Sequence, residues 1–275
     1  MAKTDFNLVI KPRRGWQPLD VRELWSFRGL LGFLVWRDIK LRYKQTALGA
    51  VWAILQPLIG MLVFGVLLAR VARFGSGGPN YSLFVLAGLI PWTFFANAVS
   101  MAGNSLIGSE QMIRKIYFPR LFVPLAAILA LGLDAVVSLV LLGVLMAAMK
   151  VAVSPCIVLL PLFLLATVLA AAGIGFFLAA LNVKYRDIKY VVPFFTQVAM
   201  FVTPVLYPLN SMSAKMRAVL SLNPMAGVVE GFRFAVLGNP ASLHVLWVSS
   251  GVSVALLVLG VFFFKRMELT FADVI

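Results

Sequence analysis

The sequence predicts an all-α integral membrane protein: six transmembrane helices, an N-terminal amphipathic interfacial helix, and a re-entrant extracytoplasmic helical hairpin between spans 5 and 6. Three observations lead there. Apolar residues fill 62% of the 275 positions and charged ones only 12%, about half the charged share of an ordinary soluble domain. Mean hydropathy is +0.98. The 24 lysines and arginines, which set a net charge of +14, do not gather in a polar domain of the kind that binds nucleic acid; they punctuate apolar runs.

Residues 1–46 form a basic N-terminal segment. Lys11-Pro12-Arg13-Arg14 favours no regular structure and leads into polar sequence, not into the short apolar core of a cleavable signal peptide. From Val21 to Lys44 a helix is expected, weakened in its middle by Gly29 and Gly32. Arg37, Lys40 and Lys44 recur at spacings of three and four with Arg42 near them, while Leu31, Leu34, Val35 and Ile39 fall mostly opposite. Such a helix lies flat on a lipid surface, apolar side down and cations toward headgroup phosphates.

Residues 47–264 carry the spans. The charges stop at Ala47, and a first span over 47–69, kinked at Pro57, is long enough for a ~30 Å hydrocarbon core. A glycine-rich loop at 73–80 leads to a second span over 81–106, with Pro91 inside it. A polar connector at 108–119 precedes spans over 121–149 and 156–181. A basic connector at 182–190 then leads to a short, proline-broken span over 191–207, and the sixth runs over 243–264, before a tail at 265–275.

The stretch 208–242 is too long for a turn and too mixed for a span. Ala214–Leu222 and Met225–Leu237 predict two short helices separated by Asn223-Pro224. About 14 residues do not cross a bilayer, so a hairpin at one membrane face is expected, with a seventh span as the alternative. Six spans place 18 of the 24 cations on the side of the two termini. That side is then cytoplasmic and the hairpin faces out.

Catalytic motifs are missing. The chain has no phosphate-cradling GxxxxGK[ST], no HExxH and no GxSxG. A single cysteine, Cys156, and a single histidine, His244, permit neither an intrachain disulfide nor a histidine metal cluster. No catalytic residue, metal or cofactor is expected in this chain. Asp134 is the clearest ionisable group within a span. It reads either as a structural carboxylate paired to a hydroxyl such as Ser138 one turn on, or as the centre of a proton-coupled carrier.

A polar stripe says more. Thr93, Asn97, Ser100 and Asn104 follow each other by four, three and four, one face of a helix. Such a face must meet another helix or water, as hydrogen-bonded packing or as the wall of a conduit. Thr196, Thr203 and Tyr207, with Phe194, Phe195 and Phe201 nearby, extend the conduit reading. Aromatic faces stack on the C–H faces of sugars, and hydroxyls and amides bond to sugar hydroxyls.

Five strings follow in order along nearly the whole chain: Arg37-Asp38-Ile39-Lys40 through Gln56-Pro57, then Lys115-Ile116-Tyr117-Phe118-Pro119-Arg120, then Asn182-Val183-Lys184-Tyr185-Arg186-Asp187, then Leu222-Asn223-Pro224 through Glu230-Gly231-Phe232-Arg233, and last Met267-Glu268-Leu269-Thr270-Phe271-Ala272-Asp273. Together they resemble the ABC-2 type membrane subunits that export O-antigen, capsule and teichoic acid. The resemblance implies a homodimer, with the conduit between its two copies. It also implies two copies of a separate cytoplasmic ATPase subunit, which bind ATP and Mg. A coupling helix is implied at 109–116, where Met112, Ile113 and Ile116 offer apolar knobs and Glu110, Arg114 and Lys115 polar grips. The segment 208–242, with Asn223, Pro224, Glu230 and Arg233, corresponds to the extracytoplasmic gate.

The implied substrate is a lipid-linked polysaccharide, moved across the bacterial cytoplasmic membrane. Arg37, Lys40, Arg42 and Lys44 would meet its phosphate headgroup at the inner leaflet. Attraction of the same cations to anionic membrane lipids is the plainer alternative. An exporter of a small amphiphile, drug or lipid, is the rival within the family.

Overall fold

The computed structural model describes residues 21–44, 51–66, 80–268 and 271. Among them the chain is all-helical, without a strand. It begins with α1 (Val21–Ser26), α2 (Arg28–Lys44) and α3 (Val51–Gly60), the last running into a π-helical turn at Met61–Val66. Then come α4 (Asn80–Gly108), α5 (Glu110–Lys115), α6 (Phe122–Ala130) and α7 (Gly132–Ala148). A 3₁₀ turn at Pro155–Leu159 opens α8 (Leu160–Lys184), followed by α9 (Ile188–Val202). The chain closes with α10 (Ala214–Leu220), α11 (Pro224–Leu237) and α12 (Leu243–Glu268).

Four helical stretches are long and apolar enough to cross a membrane: Tyr81–Gly108, Phe122–Ala148, Pro155–Lys184 and Leu243–Glu268. Two shorter apolar helices, Ile54–Val63 and Ile188–Val202, accompany them. The ends of the expected first span, most of the 73–80 loop, residues 1–20 and most of the 265–275 tail lie outside the described residues.

α4 is the centre of the molecule. In its most apolar window 72% of residues are buried, against 22% in α12. Lipid is as apolar as leucine, so burial alone does not hold such helices together, and close contact between small residues does. Ala87, Ala98 and Ala102 of α4 and Ala170 to Ala172, Ala179 and Ala180 of α8 are all buried. At the α8–α12 crossing the backbones themselves touch. A Cβ added to Gly173 would stand 2.5 Å from the Leu256 carbonyl carbon and 2.6 Å from Leu257 N, and one added to Gly260 would collide with the backbone of Gly173.

Several local features differ from the sequence expectation. The N-terminal helix breaks at Phe27, ahead of Gly29 and Gly32, whose helical positions are intact. Its apolar stripe faces protein: Leu34 is buried against Phe122 and Ala126 of α6, with Leu31 and Val35 beside it. The exposed side carries Trp25, Phe33 and Trp36 together with cations, Arg28 over the Trp25 ring and Lys40 over Trp36, each at 5.1 Å.

Pro57 sits inside α3, and a π turn follows four residues later at Met61–Val66. The third span is broken at Leu131, whose N–H bonds back to Ile128 at 3.2 Å. The fifth ends at Val202 instead of 207. Thr203 precedes Pro204 and takes the extended conformation, φ −77° and ψ 139°, that a following proline enforces. Asn182 and Lys184, expected in a connector, are the last turn of α8.

The two short helices around Asn223-Pro224 form nearly as expected. The Asn223 side chain accepts the Met225 N–H at 2.9 Å as N-cap, Pro224 fills the first helical position, and Gly238 ends the helix in the left-handed region at φ 70°.

Candidate functional site

The expected site residues fall in four places. At the first, α2 meets α7. Arg42 Nη2 pairs with Asp134 Oδ2 at 2.6 Å, and the Tyr43 hydroxyl donates to Asp134 Oδ1. Burial first, and then the hydrogen bond and charge of Asp134, push the Tyr43 hydroxyl up to about 12, so it stays a donor at neutral pH. Ser138, the expected partner, donates instead to the Asp134 backbone carbonyl at 2.8 Å. This is the usual bond of a helical serine to the turn before it, and it leaves the carboxylate to the other helix.

The four cations expected at the headgroup are not alike. Arg42 also reaches Met101 Sδ at 3.0 Å. Arg37 pairs with Asp38 at 2.8 Å and points at Met112 Sδ, 3.5 Å away. Lys40 and Lys44 are exposed.

At the second place, α5 holds an ion pair between Glu110 and Arg114 at 2.7 Å. Ile113 is buried, and Met112 packs toward Phe122 and Leu34. Of the three expected knobs only Ile116 is exposed, and Tyr117 beside it is 81% exposed, its hydroxyl donating to Glu23 Oε1 of α1 at 3.0 Å. Lys115 is exposed as well.

The third place is the polar stripe of α4. Thr93, Asn97, Ser100 and Asn104 lie together on the one face of this helix that is only half-buried. Thr93 bonds back to Leu89 O at 2.8 Å. Asn104 is tied sideways, accepting from Asn182 Nδ2 of α8 at 3.1 Å while Asn182 also donates to Gly103 O at 2.9 Å. α9 shows an open aromatic side, with Phe194, Phe195 and Phe201 exposed, and Tyr207 donates to Val202 O at 2.9 Å.

The fourth place is built on Arg233. α9 ends at Val202, and the irregular backbone after it leaves carbonyls without helical donors. Arg233 replaces them, donating to Pro204 O at 2.7 Å, to Val205 O and to Tyr207 O at 3.5 Å, while its Nε reaches Phe84 O at 3.1 Å. The guanidinium lies 3.5 Å over the Phe84 ring. Gly88 makes room, since a Cβ there would stand 2.7 Å from Arg233 Nη2 and 3.0 Å from Val205 O. Ser249 of α12 ties the start of α11, its single O–H within reach of both Ser221 O at 2.9 Å and Asn223 O at 3.0 Å, while its oxygen accepts the Gly227 N–H at 3.1 Å. Asn223 Nδ2 donates to Thr203 Oγ1 at 2.8 Å. Glu230 is buried beside a cavity of about 200 Å³.

Among the described residues no group of histidines, cysteines and carboxylates is placed to hold a metal ion; the arrangement offers helices, ties between them, and faces left open. The family model of the ABC-2 type transporter matches residues 29–237, which takes in the expected site residues at all four places. The chain belongs to the ABC-2 type transporter family. It is therefore an integral membrane protein, the membrane subunit of a transporter.

Relatives bear the same stamp. An O-antigen export system permease protein, RfbA of Myxococcus xanthus, is 33% identical over 215 residues, 78% of this chain and 82% of that one. A protein of the same description from Klebsiella pneumoniae is 26% identical over 247 residues, 90% and 95% of the two chains. The polysialic acid transport protein KpsM of Escherichia coli is 26% identical over 223 residues, 79% and 82% of the two. Within the ABC-2 chain, sequence reasoning missed Tyr43, Tyr117, Asn182 and Ser249. For Tyr43 and Asn182 a signal existed, a polar group next to an apolar run; for the others nothing local marks the partner.

Proposed function

We propose that this chain is the transmembrane subunit of an ATP-driven exporter that moves a lipid-linked polysaccharide across the cytoplasmic membrane. The observation that carries the reading is the match along most of the chain to ABC-2 permeases of O-antigen and polysialic acid export. In this reading six spans cross the membrane: the four long helices, α3 with its flanks, and the short α9. Both termini are cytoplasmic and α10–α11 form a re-entrant hairpin at the outer face. Two copies enclose the conduit, each with a cytoplasmic ATPase subunit that binds ATP and Mg.

The structure supports a division of labour between the four places. α5 meets the ATPase through Ile116, Tyr117 and the Glu110–Arg114 pair. Lys40, exposed over the Trp36 ring, and the exposed Lys44 are the cations of α2 most ready to take a phosphate headgroup, with Arg37 next to them. The half-buried stripe of α4 and the aromatic side of α9 line the route for the glycan. The hairpin closes it, held by Arg233, Asn223 and Ser249.

Loss of this subunit should leave lipid-linked polymer accumulating inside the cell, and the purified chain should bring an ATPase with it. A deletion strain that accumulates no such polymer and exports its surface glycan normally would overturn the reading. Neutralising Arg37 and Lys40 together should stop export while the protein remains in the membrane.

A further inference from the structure

We infer that the cavity beside Glu230 is a subsite for one sugar residue of the exported chain, an inference that rests on the polysaccharide reading above. The cavity, about 200 Å³, is lined by Phe84, Pro204, Pro208, Asn210, Glu230 and Asn239 among others. It lies where α4, the stretch after α9, α11 and the loop after α11 converge. Glu230 is only 8% exposed, and its Oε2 has no hydrogen-bond partner among the described residues. The backbone N–H of Ser242 lies near the same carboxylate.

Arg233, one turn further along α11, is the obvious partner, yet its donors go to the carbonyls of Phe84, Pro204, Val205 and Tyr207. A buried carboxylate oxygen left in this state calls for a donor from outside. The fixed guanidinium beside it disfavours a free cation in that role, whereas a neutral hydroxyl meets no such repulsion.

The rest of the lining fits a sugar. The prolines give apolar faces for the C–H side of a pyranose ring. Asn210 spends its Nδ2 on Pro240 O at 3.2 Å, which leaves its amide oxygen to accept. Asn239 adds a second amide. The volume is below the ~300–1,000 Å³ of a site for a drug-sized ligand. At ~30 Å³ per water it equals about six or seven waters, room for one ring and not for a chain.

The test uses the complex with its ATPase in lipid nanodiscs, probed by saturation-transfer NMR. Probes are the methyl glycosides of glucose, galactose, mannose, rhamnose and N-acetylglucosamine. At least one should bind, and Glu230→Gln and Asn239→Ala should each weaken it 5-fold or more in complexes that assemble normally. If Glu230→Gln fails to assemble, Asn239→Ala, in the loop outside the helices, decides. No binding to the unaltered complex, or binding unchanged in the variants, would mean a cavity that holds water only and would overturn the subsite. Export of lipid-linked polymer by the unaltered complex is scored separately in reconstituted vesicles. Failure there rejects the polysaccharide reading, while intact export without glycoside binding rejects the subsite alone.

Discussion

The guanidinium of Arg42 on α2 closes over the carboxylate of Asp134 on α7, Nη2 to Oδ2 at 2.6 Å, so a charge inside an apolar helix is answered by a helix from the N-terminal part of the sequence. The side chains are 30% and 18% exposed, between the surface case and the buried one.

Arg42→Gln or Asp134→Asn should therefore destabilise the folded protein by about 1–3 kcal/mol, between the limits for exposed and buried pairs. Exchanging the charges, Arg42→Asp with Asp134→Arg, should restore part of the loss. Thermal unfolding of the purified complex, arranged as a double-mutant cycle, measures the coupling; single variants as stable as the parent would mean that the pair is idle.

Arg233→Lys should be poorly tolerated although it keeps the charge. An ammonium has three donors on one nitrogen and cannot reach four carbonyls spread over two segments. Each carbonyl left unpaired costs about 1–3 kcal/mol. Gly88→Ala should give the same defect in milder form, because its Cβ would displace the guanidinium. Yield and monodispersity in detergent read both, and a well-behaved Arg233→Lys protein would contradict the account.

On α5 the expected effects separate by burial. Ile116→Glu and Tyr117→Ala should lower the amount of ATPase retained on the purified chain, without changing its melting temperature. Ile113→Glu should instead lose the protein, because it places a charge in the core. ATPase retention equal to the parent's in Ile116→Glu and Tyr117→Ala would show that the partner docks elsewhere.

Along α4, Asn97→Leu and Ser100→Leu should reduce surface glycan at normal expression, if that face lines the route. Asn104→Leu should reduce expression itself, since Asn182 loses an acceptor at a fully buried position. Immunoblots of surface polymer and of the subunit distinguish the two outcomes.

Much of the fold was legible because helices in lipid announce themselves by length and hydropathy. The short pair around Asn223-Pro224 was legible too, through a capping side chain and a proline that act within three residues of each other. The Leu131 break had no comparable mark. Nor did the direction of α5: Met112, Ile113 and Ile116 read as equal apolar knobs, and only the position of α2 and α6 turns the first two inward. Asp134 and Arg233 stood out as charges in apolar sequence, but their partners are a distant side chain and backbone carbonyls, and neither leaves a trace in local pattern. The wrong expectation for Ser138 came from searching one turn away for a partner that sits on another helix.

The glycine crossing between α8 and α12 has a mechanical corollary. With backbone against backbone at Gly173 and Gly260, no cushion of side chains remains that would let the two rods shear or roll, so they travel as a single strut. Displacement during a transport cycle must then be absorbed at joints made of long side chains, such as the seams of α2 and α9, and a chemical tether fastening α8 to α12 should leave export untouched.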